Sequence, residues 1–506
     1  MHSALLIDEV LRQIFHFCSE NNLHSLVCAA RSCKAWKDPA LDFVWVRLSS
    51  LTPLLLLLPG FSITNNEFVY SNDTSPDNSH SFNSYARRVK HVSNRQKIEI
   101  HSSAVTASPF SYSSDVCLPN LETAHISIPR CNALVLPLSL SPNLLRLDID
   151  LGFKSRTPDV DSPLCEYLEL VSSHSPRLRH ITLRGIASKR LNSIISSMRN
   201  LQSLSLRLGH SLSIETLRAI IIFPSLLELE VHAGHIEIND LDELHQYPTH
   251  TMFASLRKLH IRAKSNLVEV ILQLLQPNTL YHLHIELDDA FPSDSYWNTI
   301  FACICSKSTS SLHHLTLEHH FELPEPMTSM PSDVTHVALH MQSPKSSSML
   351  FETTQMLGTL KLLRHFACDV TLPAIMSDQD VAKLVTWWPD LEYLELGSAP
   401  QAEDQPNEVS RMTIASLALF AAKCPELRKL ILPLSIGDVP VLPIAQVSTP
   451  NNLHHLTIAQ LKTPNPLGLA QYLHYLFPFL EDVEGPCDDT QPWTDTKDAL
   501  QRIIHG

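Results

Sequence analysis

The sequence predicts an α/β chain in which three short helices precede a long array of strand–helix repeats. Two observations lead to this prediction. A Leu-x-x-Leu-x-Leu unit recurs at roughly 28-residue intervals from Leu121 to Leu480, and such a period is typical of a repeat solenoid. The first fifty residues instead carry three apolar stripes at helical spacing. The length of 506 residues is about three times that of a typical domain, which also indicates several domains or one array.

Each N-terminal stripe predicts one short helix. The stripes consist of Val10, Ile14 and Phe17; of Leu23, Leu26, Val27 and Ala30; and of Leu41, Val44, Trp45 and Leu48. The residues from Ser19 to Asn22 predict the first break, and Asp38-Pro39 predicts the start of the third helix because Pro suits a first turn. Three helices of about ten residues cannot bury all of this apolar surface among themselves. We therefore expect part of it to contact another domain or another chain.

The residues of these helices resemble an F-box of the kind found in large leucine-rich fungal families. The resemblance rests on Ile7, Glu9, Val10, Leu11, Ile14, Phe15, Leu23, Leu26, Cys33, Trp36, Pro39, Leu41 and Trp45, although Ile7 stands where the family usually has Pro. It implies docking onto the Skp adaptor of an SCF-type cullin ubiquitin ligase. The adaptor-binding residues that it implies are Leu6, Ile7, Val10, Leu11, Ile14, Phe15, Leu23, Leu26 and Cys33. An alternative is a three-helix cap of the following domain.

Four segments follow from these patterns. We predict the F-box at residues 1–50, a linker or flexible loop at 51–86, the solenoid at 87–484 and a C-terminal tail or cap at 485–506. The middle segment is assigned as a loop because residues 61–86 are rich in Ser, Asn and Asp and show no sustained period.

The repeat units resemble those of a leucine-rich repeat solenoid. Their first apolar residues are Leu144, Leu178, Leu201, Leu226, Leu256, Leu280, Leu312, Val334, Leu363, Leu391, Leu427 and Leu453, with Val89, Leu121 and Leu480 as end members. Helical stripes such as Val381, Leu384, Val385 and Trp388 lie between them. The usual Asn or Cys that follows the strand is missing. The resemblance implies a horseshoe with a parallel concave sheet and helices outside, whose open edges are closed by stacking.

Histidines recur at one outward place of the predicted strands, just before the second Leu. His282, His314, His336 and His365 occupy it in four successive units, so we expect them to form a row at the strand spacing of about 4.8 Å. Exposed imidazoles titrate near about 6.5, and such a row could bind a metal, sense pH or receive an acidic partner, or could simply be solvated. The client-binding candidates are these four residues with His284 and Tyr393.

Composition excludes several other classes of function. The net charge of −14 argues against nucleic-acid binding, and the closest glycines, Gly468 and Gly485, are 17 residues apart, so no phosphate-binding glycine motif exists. The eleven cysteines contain no CxxC and predict reduced thiols. No signal peptide is apparent, and the run from Leu54 to Leu58 is too short to cross a bilayer. We expect an intracellular, cytoplasmic or nuclear protein without a membrane partner.

The resemblances together imply a substrate-recognition subunit of a cullin ligase. Its N-terminal helices would hold the Skp adaptor and the ligase core, while the repeats would bind an unidentified client protein. An alternative is a repeat scaffold without ligase linkage. No HExxH motif and no recognisable nucleophile turn occur, so the sequence predicts no enzyme, no cofactor and no metal.

Overall fold

A computed structural model describes most of the chain in two compact units, Met1–Leu226 and Leu227–Gly506. The described residues are 3–58, 60–64, 67–70, 80–94, 99–100, 118–130, 133–154, 158–239, 241, 248–289, 294–320, 351–371, 376–397, 412–436, 439, 451–461, 465–485 and 491–505.

The first unit begins with three helices around a small apolar core. They are α1 (Asp8–Asn21), α2 (Leu23–Ser32) and α3 (Lys34–Trp45), after a 3₁₀ turn at Ser3–Leu6. Asn22 separates the first two because its side chain accepts hydrogen bonds from the backbone N–H groups of His24 and Ser25. The third helix starts four residues before the predicted Asp38, and Pro39 lies inside it with its ring buried. The burial of Pro39 offsets the backbone hydrogen bond that a proline cannot donate.

The first unit continues from these helices directly into a sheet. Strand β1 (Arg47–Leu48) follows α3 and pairs in parallel with β4 (His91–Asn94). The Arg88 guanidinium pairs with both Asp38 and Asp42 of α3. The sheet therefore begins forty residues before the predicted start of the repeats.

The segment predicted as a linker, 51–86, contains regular structure in its described parts. Helix α4 (Thr52–Leu55) is buried through Leu54 and Leu55, and in helix α5 (His80–Ala86) the Tyr85 ring packs at a tilt against Trp45, with ring centroids 4.6 Å apart. A separate small sheet contains β2 (Phe61–Thr64), β3 (Glu67–Tyr70) and β5 (Glu99–Ile100). The prediction of a flexible loop is wrong for these residues, because buried side chains such as Leu54, Leu55 and Phe82 hold the helices in place despite the polar sequence between them.

Parallel strands and helices then alternate to the end of the first unit. The strands are β6 (Thr123–Ser127), β7 (Arg146–Gly152), β8 (His180–Gly185) and β9 (Ser203–Arg207). The helices are α6 (Pro158–His174), α7 (Lys189–Ser197) and α8 (Ile214–Ile221), with 3₁₀ turns at Ile128–Arg130, Ala133–Ser139 and Gly209–Ser211. From β4 to β9 each strand of the larger sheet pairs with the next one along the chain, which is the pairing expected of a repeat array.

The second unit repeats the same arrangement. Its strands are β10 (Glu228–His232), β11 (Lys258–Ala263), β12 (His282–Leu287), β13 (His314–His319), β14 (His365–Val370), β15 (Tyr393–Glu395), β16 (Lys429–Ile436), β17 (His455–Leu461) and β18 (Asp482–Glu484). Its helices are α9 (Ser265–Leu274), α10 (Asp294–Ser308), α11 (Phe351–Thr354), α12 (Asp378–Leu384), α13 (Ala415–Lys423), α14 (Pro466–Leu476) and α15 (Gln491–His505), with 3₁₀ turns at Thr249–Thr251 and Gln355–Thr359. All pairings of these strands are parallel and sequential.

The predicted leucine pattern is the core of both units. In the unit of Leu280, for example, Leu280, Leu283 and Ile285 are all buried, while His282 and His284 between them are half-buried. Alternate residues of a strand point to opposite faces of a sheet, so the leucines occupy the inward face. The α/β class with a parallel sheet and intervening helices is confirmed.

Two further findings concern the cysteines and the helices of the described residues. All eight described cysteines carry free thiols. None of the described helices combines the length and the apolar character that crossing a bilayer requires.

Candidate functional site

The N-terminal helices leave an apolar surface uncovered, which we call the helical patch. Among the described residues, fourteen large apolar side chains are exposed, and six of them fall between positions 6 and 27. They are Leu6, Ile7, Ile14, Phe17, Leu23 and Val27. Phe17 is the most exposed, at 70% of its surface, and Leu23 is 52% exposed. On α1 the exposed residues and the half-buried Val10 recur at helical spacing, so they form one face.

Three of the predicted adaptor contacts lie elsewhere. Leu11, Phe15 and Leu26 are buried in the core between the three helices. Trp36 belongs to the same core, because its ring packs on Phe15 at 6.2 Å and its Nε1–H donates to the Leu5 carbonyl. These three predicted contacts are therefore corrected to structural residues. A helical period marks both the inward and the outward stripe of a small helix, and it does not say which stripe a neighbour covers. Cys33, like Val10, is half-buried.

The second surface is the outward face of the sheet in the second unit. Lys258, His282, His314, His365, Tyr393 and Lys429 are successive register partners along it, and we call this set the imidazole row. The predicted row had His336 between His314 and His365. His336 lies outside the described residues, and among the described strands that of His314 pairs directly with that of His365.

The consecutive rings of the imidazole row contact one another, stacked in two pairs and tilted in the pair of His314 and His365. The centroids of His282 and His314 are 5.3 Å apart, those of His314 and His365 are 5.4 Å apart, and His365 lies on Tyr393 at 4.1 Å. The Tyr393 hydroxyl donates to Glu395 Oε2 at 2.6 Å. The lysines at the two ends also have partners, since Lys258 pairs with Glu228 and the Lys429 ammonium lies 5.7 Å from the Tyr393 ring centre.

Burial keeps these histidines neutral. Desolvation, with a smaller contribution from His314, lowers the pKa of His282 to about 4 and that of His365 to about 4. Desolvation also lowers the pKa of His314. The expectation that the row titrates near 6.5 is therefore wrong, because packing of each ring on the next removes water from it. At neutral pH the three histidines of the row offer rings and hydrogen-bonding nitrogens rather than positive charge.

A neighbouring row on the same face combines imidazoles with carboxylates. Glu230, His260 and His284 are successive register partners, and His260 stacks on His284 at 3.9 Å with nearly parallel planes. His284 Nε2 lies 2.8 Å from Glu318 Oε1, and His260 Nδ1 lies 3.4 Å from Glu230 Oε1. His232 lies on the same side of β10 as Glu230, because alternate residues of a strand share a face.

These two surfaces can support binding of different kinds. The helical patch can exclude water against an apolar partner, whereas the outward sheet face can stack on and hydrogen-bond to a polar one. Each lies within one compact unit.

A scan of the sequence against protein-family models found no match, and no curated protein matches it either.

Proposed function

We propose that this chain is a substrate receptor of an SCF-type cullin ubiquitin ligase. The helical patch docks the Skp adaptor, and the outward face of the repeat sheet binds a client protein. The chain contributes position and orientation, while the ligase chemistry belongs to other subunits. The F-box resemblance of residues 5–48 and the parallel repeat sheet support the two halves of this proposal.

The helical patch is the observation that carries the proposal. Full burial of a Val, Leu, Ile or Phe side chain is favourable by about 1.5–3 kcal/mol, so a patch of six such residues within 22 positions favours a partner that covers it. The helices stay folded without using these side chains, because Leu11, Phe15 and Leu26 supply their core. The packing of the three helices therefore does not explain why these positions are apolar, whereas a docking role does.

The client half rests on the imidazole row. The neutral imidazoles present flat surface together with nitrogens that donate or accept hydrogen bonds. Tyr393, at the end of the three histidines, is of a residue type that is enriched at protein interfaces. Charged groups along and beside the row are paired: Lys258 with Glu228, Arg262 with Glu286, and Glu318 with His284. We therefore infer a client segment that is polar and uncharged where it crosses His282, His314 and His365.

The experiment that tests the adaptor half uses a matched pair of leucines. Leu23 and Leu467 are similarly exposed, at 52% and 55%, and each stands in the first turn of a helix, where an added carboxylate is tolerated. We expect Leu23→Asp to weaken binding of a purified Skp-type adaptor by about 2 kcal/mol, roughly thirtyfold, because it places a charge in a desolvated contact. Leu467→Asp should bind the adaptor like the wild-type chain.

Equal adaptor affinity of the two variants would contradict docking through the helical patch. Absence of adaptor binding by the wild-type chain would favour the second class of function, a repeat scaffold without ligase linkage. Circular dichroism of both variants controls for folding.

A further inference from the structure

We propose that Glu230, His232 and His260 form a binding site for a divalent transition-metal ion such as Zn²⁺. The three residues come from two adjacent strands of the second unit. Glu230 and His232 are two positions apart on β10 and so point to the same face, and His260 on β11 is the register partner of Glu230. This site is independent of the proposed ligase function.

The distances between the donor atoms fit one ion. Zinc bonds to imidazole nitrogen and carboxylate oxygen are about 2.0–2.2 Å long, so the donors of a tetrahedral site lie about 3.4 Å apart. Glu230 Oε1 is 3.4 Å from His260 Nδ1 and 4.0 Å from His232 Nε2, and the three donor atoms all lie within 4.8 Å of one another.

The donor set selects the class of ion. Two imidazoles and one carboxylate suit zinc, copper, iron or nickel, whereas magnesium and calcium prefer oxygen donors alone. The three side chains retain 18% to 26% of their exposed surface, so the site is partly shielded yet reachable from solvent. Three protein ligands leave at least one coordination position for water or for a donor of a bound partner.

Neighbouring side chains hold the candidate ligands in place. The His260 ring is stacked on His284 at 3.9 Å, and His284 is in turn fixed by Glu318. The closest permanent positive charge in the register is Arg262, the partner of His232 on β11. Arg262 pairs with Glu286 at 3.0 Å and with Asp288 at 3.2 Å, which offsets its repulsion of a cation. Restricted ring planes reduce the entropy that metal binding would cost.

Zinc titration of the full-length chain tests the site. We expect one Zn²⁺ to bind in competition with a colorimetric chelator, and both His232→Gln and His260→Gln to weaken that binding by at least about tenfold. The matched control is His180→Gln, since His180 stands on a strand between Arg146 and Ser203, where no carboxylate is its register partner. The control should bind zinc like the wild-type chain.

Cobalt supplies a second readout that folding defects do not imitate. Co²⁺ in the proposed nitrogen and oxygen site should give visible d–d bands without the near-ultraviolet thiolate band that a cysteine site would add. These bands should disappear in Glu230→Gln while circular dichroism stays unchanged. The proposal is overturned if the wild-type chain binds no zinc, if the ligand variants match His180→Gln, or if the cobalt spectrum contains thiolate absorption.

Discussion

The helical patch and the outward face of the second unit differ in whether their side chains already have packing and hydrogen-bonding partners within the chain. In the patch, Phe17 and Leu23 remain mostly exposed and have no polar atoms with which to bind water. On the outward face, His365 stacks on Tyr393 and the Tyr393 hydroxyl reaches Glu395. An apolar surface gains free energy from any close-fitting cover, whereas a satisfied polar surface gains only when a partner replaces its contacts well. The apolar surface therefore suits a partner that is always the same, and the polar surface suits a partner that is selected by how well it replaces the existing contacts.

The largest expected effect is on the stability of the N-terminal helices, whose inward residues form a core and whose outward residues form the helical patch. Leu26→Ala should lower the free energy of unfolding by about 2–5 kcal/mol, because it removes a fully buried side chain and leaves a cavity. Phe17→Ala should change it by less than about 0.5 kcal/mol, since Phe17 is 70% exposed. Urea unfolding of both variants measures the difference. Similar losses would mean that Phe17 is packed and would remove it from the helical patch.

The next effect is a pH dependence that belongs to the outward face. Folding lowers the pKa of His282 and of His365 to about 4, so between pH 4 and 6.5 the unfolded chain binds more protons than the folded one. Stability must then rise with pH across this window, be fully present above it and be lost as the pH falls toward 4. Replacing both residues with Gln should flatten this rise in urea unfolding measurements.

Each single variant, His282→Gln or His365→Gln, should remove part of the rise. An unchanged slope in the double variant would contradict the burial of these rings and would return the row to solvated surface.

The smallest effect concerns one hydrogen bond of the outward face. Tyr393→Phe should cost about 0.5–1.5 kcal/mol, because it removes the hydroxyl that donates to the half-buried Glu395 and keeps the ring that stacks on His365. Tyr281→Phe is the control, since the Tyr281 ring also stacks on a histidine, His313, but is 41% exposed. Equal effects of the two substitutions on urea unfolding would mean that the hydrogen bond from Tyr393 to Glu395 does not stabilise the fold.

The inward face of the fold was predictable because burial follows a simple period. Leu283 and Ile285 alternate with polar residues, and Val381, Leu384, Val385 and Trp388 are all buried as their helical stripe predicts. A hydrophobic period does not predict the elements that depend on a few long-range contacts. Strand β1 is only two residues long and is fixed by its pairing with β4, and α4 is fixed by burial of Leu54 and Leu55.

The candidate sites were predictable only in part. The register placed His282, His314 and His365 in one row, but a sequence does not show that stacking desolvates them and lowers their pKa values. The stripe on α1 did not separate Leu11 and Phe15 in the core from Ile14 and Phe17 outside. Glu230 and His232 become visible as a cluster only when β10 and β11 are placed in register. The local sequence signal for this cluster is the spacing of Glu230 and His232, which puts both side chains on one face of a strand.

Hydrogen–deuterium exchange of the full-length chain, with and without a purified Skp-type adaptor, tests most directly whether the two surfaces have separate roles. The account predicts slower exchange in α1 and α2, from Asp8 to Ser32, and no change in the strands from His282 to Glu395. Slower exchange in those strands with no change in the helices would contradict it.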